Sequence, residues 1–164
     1  MMDKNIVILL WFLPLALSLH VIEEFAYPGG LRQWIRAYKP GRPKSTLYYF
    51  IANASILIGA YIIAFRAVDI FGFRIYLALV AIVGSNGISH IRGTLQKKQF
   101  CPGVFSSMVL YLPLTVLSFY YFLAKGKVDV LSAVVCACIG VFIGYYIGGI
   151  DIRKKDIDLI ASNR

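Results

Sequence analysis

Two histidines and two glutamates are all that this 164-residue chain contains, and they fall in two short stretches. His20-Val21-Ile22-Glu23-Glu24 sets an imidazole and two carboxylates at i, i+3 and i+4, positions that share one face of a helix. Asn86-Gly87-Ile88-Ser89-His90 sets a carboxamide and a second imidazole at i and i+4. Three chemistries suit such a set. Two or three of His20, Glu23, Glu24 and His90 can ligate a divalent metal such as zinc, iron or manganese and leave a position open for water or substrate. Without metal, adjacent carboxylates in a poorly hydrated place share a proton and, with His, form a general acid and base pair. The same groups can take up and release protons or metal ions in a transporter. Against these stands a structural use, with glutamates reaching water at a membrane boundary and Asn86 bonding His90 between helices.

The elements that must position these groups are membrane helices. The chain is 59% apolar and 15% charged, with mean hydropathy +0.73, against roughly 45–50% and roughly 25% in an average soluble domain. A water-soluble fold of this length cannot hide such a surplus. Uninterrupted apolar windows give about five spans, at 6–24, 46–65, 73–91, 104–124 and 128–150. The expected fold is all-α: a single polytopic bundle over 1–164 with a polar tail at 151–164. The apolar stretch of the first span is too long for the roughly 7–15 residues of a signal-peptide core, so it reads as a retained helix. The formal net charge of +9 raises nucleic-acid binding, but the basic residues lie between apolar runs and not along one face, so no nucleic acid is expected.

Of the seventeen Lys and Arg, twelve fall in the first and third connections and the tail, and five on the other side. The positive-inside rule then puts those connections and the C-terminus in the cytoplasm and the N-terminus outside. Both polar stretches end spans that run inward, so His20, Glu23, Glu24, Asn86 and His90 are expected to share one cytoplasm-facing site. Ionisable groups at this depth are functional candidates by default because leaving them unpaired is costly.

His20-Val21-Ile22-Glu23-Glu24 resembles the signature of the HXXEE family of small bacterial membrane proteins, and Asn86 to His90 is similar to its second motif, NXXXH. A Tyr-X-Pro-Gly element of that family corresponds to Phe100-Cys101-Pro102-Gly103, where Phe stands for Tyr and the Pro-Gly turn is kept. The resemblance implies location in the bacterial inner membrane and points to an enzyme, without naming a reaction.

Around the motifs, Leu31, Trp34, Ile35 and Tyr38 alternate with Arg32, Gln33, Arg36 and Lys39 as in an interfacial helix. Arg32, Arg36 and Lys39 are expected to meet anionic lipid headgroups; the sharper reading is a lid over the site. Gly140, Gly144 and Gly148 make a side-chain-free stripe for packing within the bundle or in a homodimer. Asn53, Ser55 and Ser85 are candidates for extra hydrogen bonds, and Cys101 for a nucleophile. Asp69 and Asp129 read as solvated loop residues. Together these features predict a membrane enzyme, a metal-dependent or Glu/His-activated hydrolase of a lipid or lipid-linked substrate. A proton-coupled or metal-ion transporter and a nonenzymatic accessory subunit are the alternatives.

Overall fold

A computed structural model describes residues 3–26, 30–38, 45–66 and 69–148 of the chain. Every regular element among them is helical: α1 (Lys4–Ala26), α2 (Gly30–Tyr38), α3 (Thr46–Arg66), α4 (Ile70–Lys97), a single turn α5 (Val104–Ser106), a π-helical turn (Ser107–Tyr111), α6 (Leu112–Ala124) and α7 (Val130–Gly148). Four rods are long and apolar enough to cross a bilayer: α1, α3, α4 and the continuous run Val104–Ala124, and α7 adds a shorter apolar helix. The chain is a membrane protein.

Its packing explains why so apolar a sequence has a defined interior. Ile6, Leu10, Leu13 and Leu17 line one stripe of α1 and are buried against Tyr76, Leu77, Val80 and Val83 of α4 and Leu114 and Phe122 of α6. Large apolar side chains such as Ile8, Leu15, Ile22 and Phe142 stay exposed on the outer faces, where lipid is the natural solvent. The buried Tyr76 hydroxyl lies 2.9 Å from the Leu9 carbonyl and 2.8 Å from Ser118 Oγ. It thereby joins α1, α4 and α6 with a satisfied polar group.

Several helix ends differ from the apolar windows, for local reasons. The third span was expected at 73–91, but α4 starts at Ile70 because Asp69 Oδ1 accepts the Gly72 N–H at 2.8 Å. It continues to Lys97, closing on Lys98 in the left-handed region (φ 51°), because charged side chains past Ile91 do not break a helix that has left the hydrocarbon. Asp129 likewise starts α7, accepting from the N–H and hydroxyl of Ser132 at 2.9 and 2.6 Å. Both aspartates are helix caps, not merely solvated loop residues, and the last span begins at Val130 instead of 128. The polar tail at 151–164 lies outside the described residues.

The glycine stripe is used inside the chain. A Cβ on Gly140 would collide with Ala81 and one on Gly144 with Ser85 Oγ, so α7 lies almost backbone to backbone on α4. Those two glycines are therefore spent on α4, and the surroundings of Gly148 lie outside the described residues.

The basic helix also differs from a helix lying freely on a membrane. Leu31, Trp34 and Ile35 of α2 are buried against Cys101 and the half-buried Tyr49, while Gln33 and Arg36 face outward. Lys39 and the side chain of Tyr38 lie outside the described residues.

Candidate metal centre

The end of the bundle carrying α2 collects the two polar motifs. Glu24, on the last turn of α1, is 3% exposed; His20, one turn earlier, and His90 of α4 are fully buried. Glu24 Oε1 lies 3.3 Å from His20 Nε2 and 3.1 Å from His90 Nε2. The two imidazoles meet edge to face with centroids 4.9 Å apart. Asn86 Nδ2 faces both Nε2 atoms, at 3.3 and 3.4 Å. Spacing i, i+4 on each helix thus delivers His20 with Glu24, and Asn86 with His90, to one point.

Each of the three central groups is held from behind. Ser106 Oγ is 2.8 Å from His20 Nδ1, and Cys101 Sγ is 3.4 Å from His90 Nδ1. Asn53 Nδ2, from α3, donates to Glu24 Oε2 at 3.0 Å. Tyr111, on the π-helical turn, lays its ring 4.3 Å from that of His20. In the tautomer that directs Nδ1–H at the Ser106 hydroxyl and the Cys101 thiol, with Asn86 donating towards Nε2, both imidazoles aim Nε2 lone pairs at the carboxylate. One ligand atom from each of His20, Glu24 and His90 falls within 4.8 Å of the others. Three lone-pair donors converging in a dry place repel one another unless a cation or protons sit among them.

Glu23 does not join this group, although it was expected among the ligands. Its Oε1 accepts from the N–H groups of Gly103 and Phe105 at 3.1 and 3.0 Å, and Oε2 accepts from that of Ser106 at 2.8 Å. The next residue along the helix is turned by about 100°, so Glu23 points at the start of the fourth rod, where unpaired N–H groups and the helix dipole favour a carboxylate. It works as a cap supplied by another helix.

The Pro102-Gly103 turn explains how that rod comes so close. Gly103 has φ +91°, and a Cβ on it would fall 2.7 Å from His20 Cε1 and 2.9 Å from His90 Cε1. Only glycine allows both the conformation and the contact. Pro113 removes a helical N–H, and the rod relaxes into the π-helical turn just before it, which sets Ser107 and Tyr111 against Gly87 of α4. Phe100, which stands where the family element has Tyr, is exposed and brings no hydroxyl to the groups around Glu24.

Beside the cluster lies a cavity of about 40 Å³ bounded by Glu24, Asn53, Asn86, Tyr49 and Leu31, room for water but not for a lipid. Of the additional polar candidates, Asn53 reaches the cluster. Ser85 instead bonds the Ile82 carbonyl at 2.9 Å, and Ser55 is exposed. Ser106 and Tyr111 were not singled out in sequence. The available signal was a Ser-Ser pair two residues after Pro-Gly, at the mouth of an otherwise apolar span.

Comparison with curated proteins finds no match, and neither does comparison with solved structures. A family model described as "protein of unknown function with HXXEE motif" matches residues 11–118, most of the chain, and the chain belongs to that family.

Proposed function

We propose that this HXXEE-family chain is a membrane-embedded hydrolase that holds a divalent metal at His20, Glu24 and His90. The observation that carries the reading is the outer ring of partners. Ser106 and Cys101 hold each imidazole by Nδ1 and leave Nε2 to ligate, while Asn53 holds the carboxylate. Metal-binding histidines are oriented in this way as a rule. Two His and one carboxylate with an open position suit zinc, iron or manganese. A divalent ion bound there supplies Lewis acidity and a water that loses its proton near neutral pH. The chain's own part is to exclude bulk water, to hold the ligands at fixed angles, and to present Asn86 and a small cavity with room for a water.

Position supports the substrate class. The cluster lies at the end of the spans, beneath an amphipathic helix, where a lipid or lipid-linked headgroup is the nearest substrate. Basic residues bias that end towards the cytoplasm of a bacterial inner membrane, with the N-terminus outside. Arg32 and Arg36 of α2, with Lys39 beyond it, then meet anionic headgroups. Below the cluster, Leu13, Leu17, Val80 and Val83 are buried together, an apolar plug that favours an enzyme over a transporter.

Elemental analysis of the purified chain after equilibration with zinc, iron or manganese tests the metal. The expected result is one ion per wild-type chain and little in His20→Ala or Glu24→Gln. Equal, negligible content in all three overturns the metal centre. For the reaction, wild type and His90→Ala are incubated in vesicles of mixed bacterial lipids, and products are read by mass spectrometry. Identical lipid profiles count against the hydrolase.

A further inference from the structure

Two tyrosines are buried to the same depth in the bundle, and their hydroxyls are treated differently. Tyr76 lies 2.9 Å from the Leu9 carbonyl and 2.8 Å from Ser118 Oγ. Tyr111 is only 1% exposed, yet among the described residues its hydroxyl has no hydrogen-bond partner. A buried phenol normally finds one. The Tyr111 Cβ packs at Gly87 and its ring lies against that of His20, so the hydroxyl end is what reaches the cavity it bounds with Glu24, Asn53 and Asn86. A phenylalanine would make the same ring contacts without desolvating an O–H.

We infer that Tyr111 is a catalytic residue, donating its O–H to the doubly bonded oxygen of the ester under attack. The inference rests on the hydrolase reading and adds to it the group that meets the substrate. The other cavity donors are already engaged: Asn53 Nδ2 with Glu24, and Asn86 Nδ2 with both imidazoles. Tyr111 also closes the π-helical turn Ser107–Tyr111, and such turns are frequent at functional sites. The cavity, about 40 Å³, is roughly three times what one water needs, which admits a water and the doubly bonded end of an ester. Half-buried Ala52 and Ile56 of α3 border it, so the ester reaches in while acyl chains stay in the bilayer. As the water oxygen bonds to the carbon or phosphorus of the ester, the double-bond electron pair moves onto the oxygen that Tyr111 holds. Charge gathering there strengthens the hydrogen bond, which favours the transition state over the ground state. The pair then returns, the bond to the leaving oxygen breaks, and the proton shed by the water ends on the leaving group.

The test compares wild type, Tyr111→Phe and Tyr76→Phe as purified, metal-equilibrated full chains. Three readouts are taken: melting by circular dichroism, metal content, and product formation in vesicles of phosphatidylethanolamine and phosphatidylglycerol. Tyr111→Phe is expected to melt no lower than wild type and to keep its metal, while product formation falls about a hundredfold, the scale for losing one oxyanion donor. Tyr76→Phe, which strips partners from Leu9 and Ser118, is expected to melt lower by about 2–4 °C. Free fatty acid among the products identifies a carboxylic ester, and a released headgroup identifies a phosphate ester. Equal rates in wild type and Tyr111→Phe overturn the inference alone and leave a hydroxyl that merely binds water. Melting lowered as far as in Tyr76→Phe assigns the hydroxyl a structural partner and overturns it too, as does loss of metal from Tyr111→Phe. A wild type that changes no lipid fails the hydrolase reading and the inference together.

Discussion

Glu23 and Glu24 are chemically identical neighbours whose surroundings give them separate duties. Glu24 meets two imidazoles; Glu23 meets three backbone N–H groups. Neutralising each in turn separates the duties. Glu24→Gln is expected to lower metal affinity by more than a hundredfold while leaving helix content intact, because a carboxamide is a poor ligand. Glu23→Gln is expected to keep the metal and to lower the stability of the fold by about 1.5–3 kcal/mol, the range for hydrogen bonds to a charged group. Titrating metal against each variant, alongside thermal melting by circular dichroism, reads both effects. Equal metal loss in the two would return Glu23 to the ligand set. The sequence could place both glutamates at one helix end, but it could not apportion them. Apportioning depends on which neighbour arrives at 103–106, a contact invisible to spacing.

At the scale of elements, α4 is the axis of the bundle and α7 its closest companion. Gly144→Val is expected to lose this contact: the added side chain meets Ser85 and the Ile82 carbonyl, and overpacking of this kind costs about 1–3 kcal/mol. The measurement is melting temperature together with oligomeric mass in detergent, and a drop in melting with no change in mass is the expected pair. A variant that melts like wild type but changes mass would restore the glycines to an interface between chains. The spans themselves were legible because a run of apolar residues long enough to cross a bilayer has few other uses. The ends were less so, since Asp69 and Asp129 fix them through single hydrogen bonds that hydropathy ignores. Amphipathicity identified α2 correctly as a helix with one apolar face. What it could not tell was that this face meets Cys101 and Tyr49 instead of acyl chains, because protein and lipid interiors ask for the same residues.

The molecule as a whole has two unlike ends. One closes over a buried cluster; the other is held by the half-buried Asp3 and the exposed Asp129. Asp3 accepts from the Tyr121 hydroxyl at 2.7 Å, and that bond holds its carboxyl below the ordinary value of 3.8. Asp129 is lowered to about 2, chiefly by the Ser132 hydroxyl and N–H, with Arg74 at 3.3 Å adding to it. A depressed folded-state value means stabilisation that is complete above the unfolded value and lost as pH falls through the folded one. Between about pH 4 and 2, therefore, amides at the start of α7 and the end of α6 are expected to lose protection from hydrogen exchange before those around His90. In Asp129→Asn the start of α7 should keep the same protection factor, relative to the intrinsic exchange rate at each pH, at pH 6 and pH 3; persistent acid sensitivity there would remove Asp129 as its cause.

The capping contact from Glu23 to Gly103 spans 80 residues of chain. At about 5–20 residues per second, a ribosome takes roughly 4 to 16 seconds to supply the second half of that contact after making the first. Throughout this interval α1 sits in or near the membrane with the Glu23 carboxylate lacking its capping N–H groups, whereas Glu24 gains Asn53 and then His90 earlier in synthesis. Assembly is therefore timed by the last rod to arrive, and any nascent chain cut short before Ser106 carries an exposed acidic helix end. That end distinguishes an unfinished molecule from a finished one, and a membrane protease could read it.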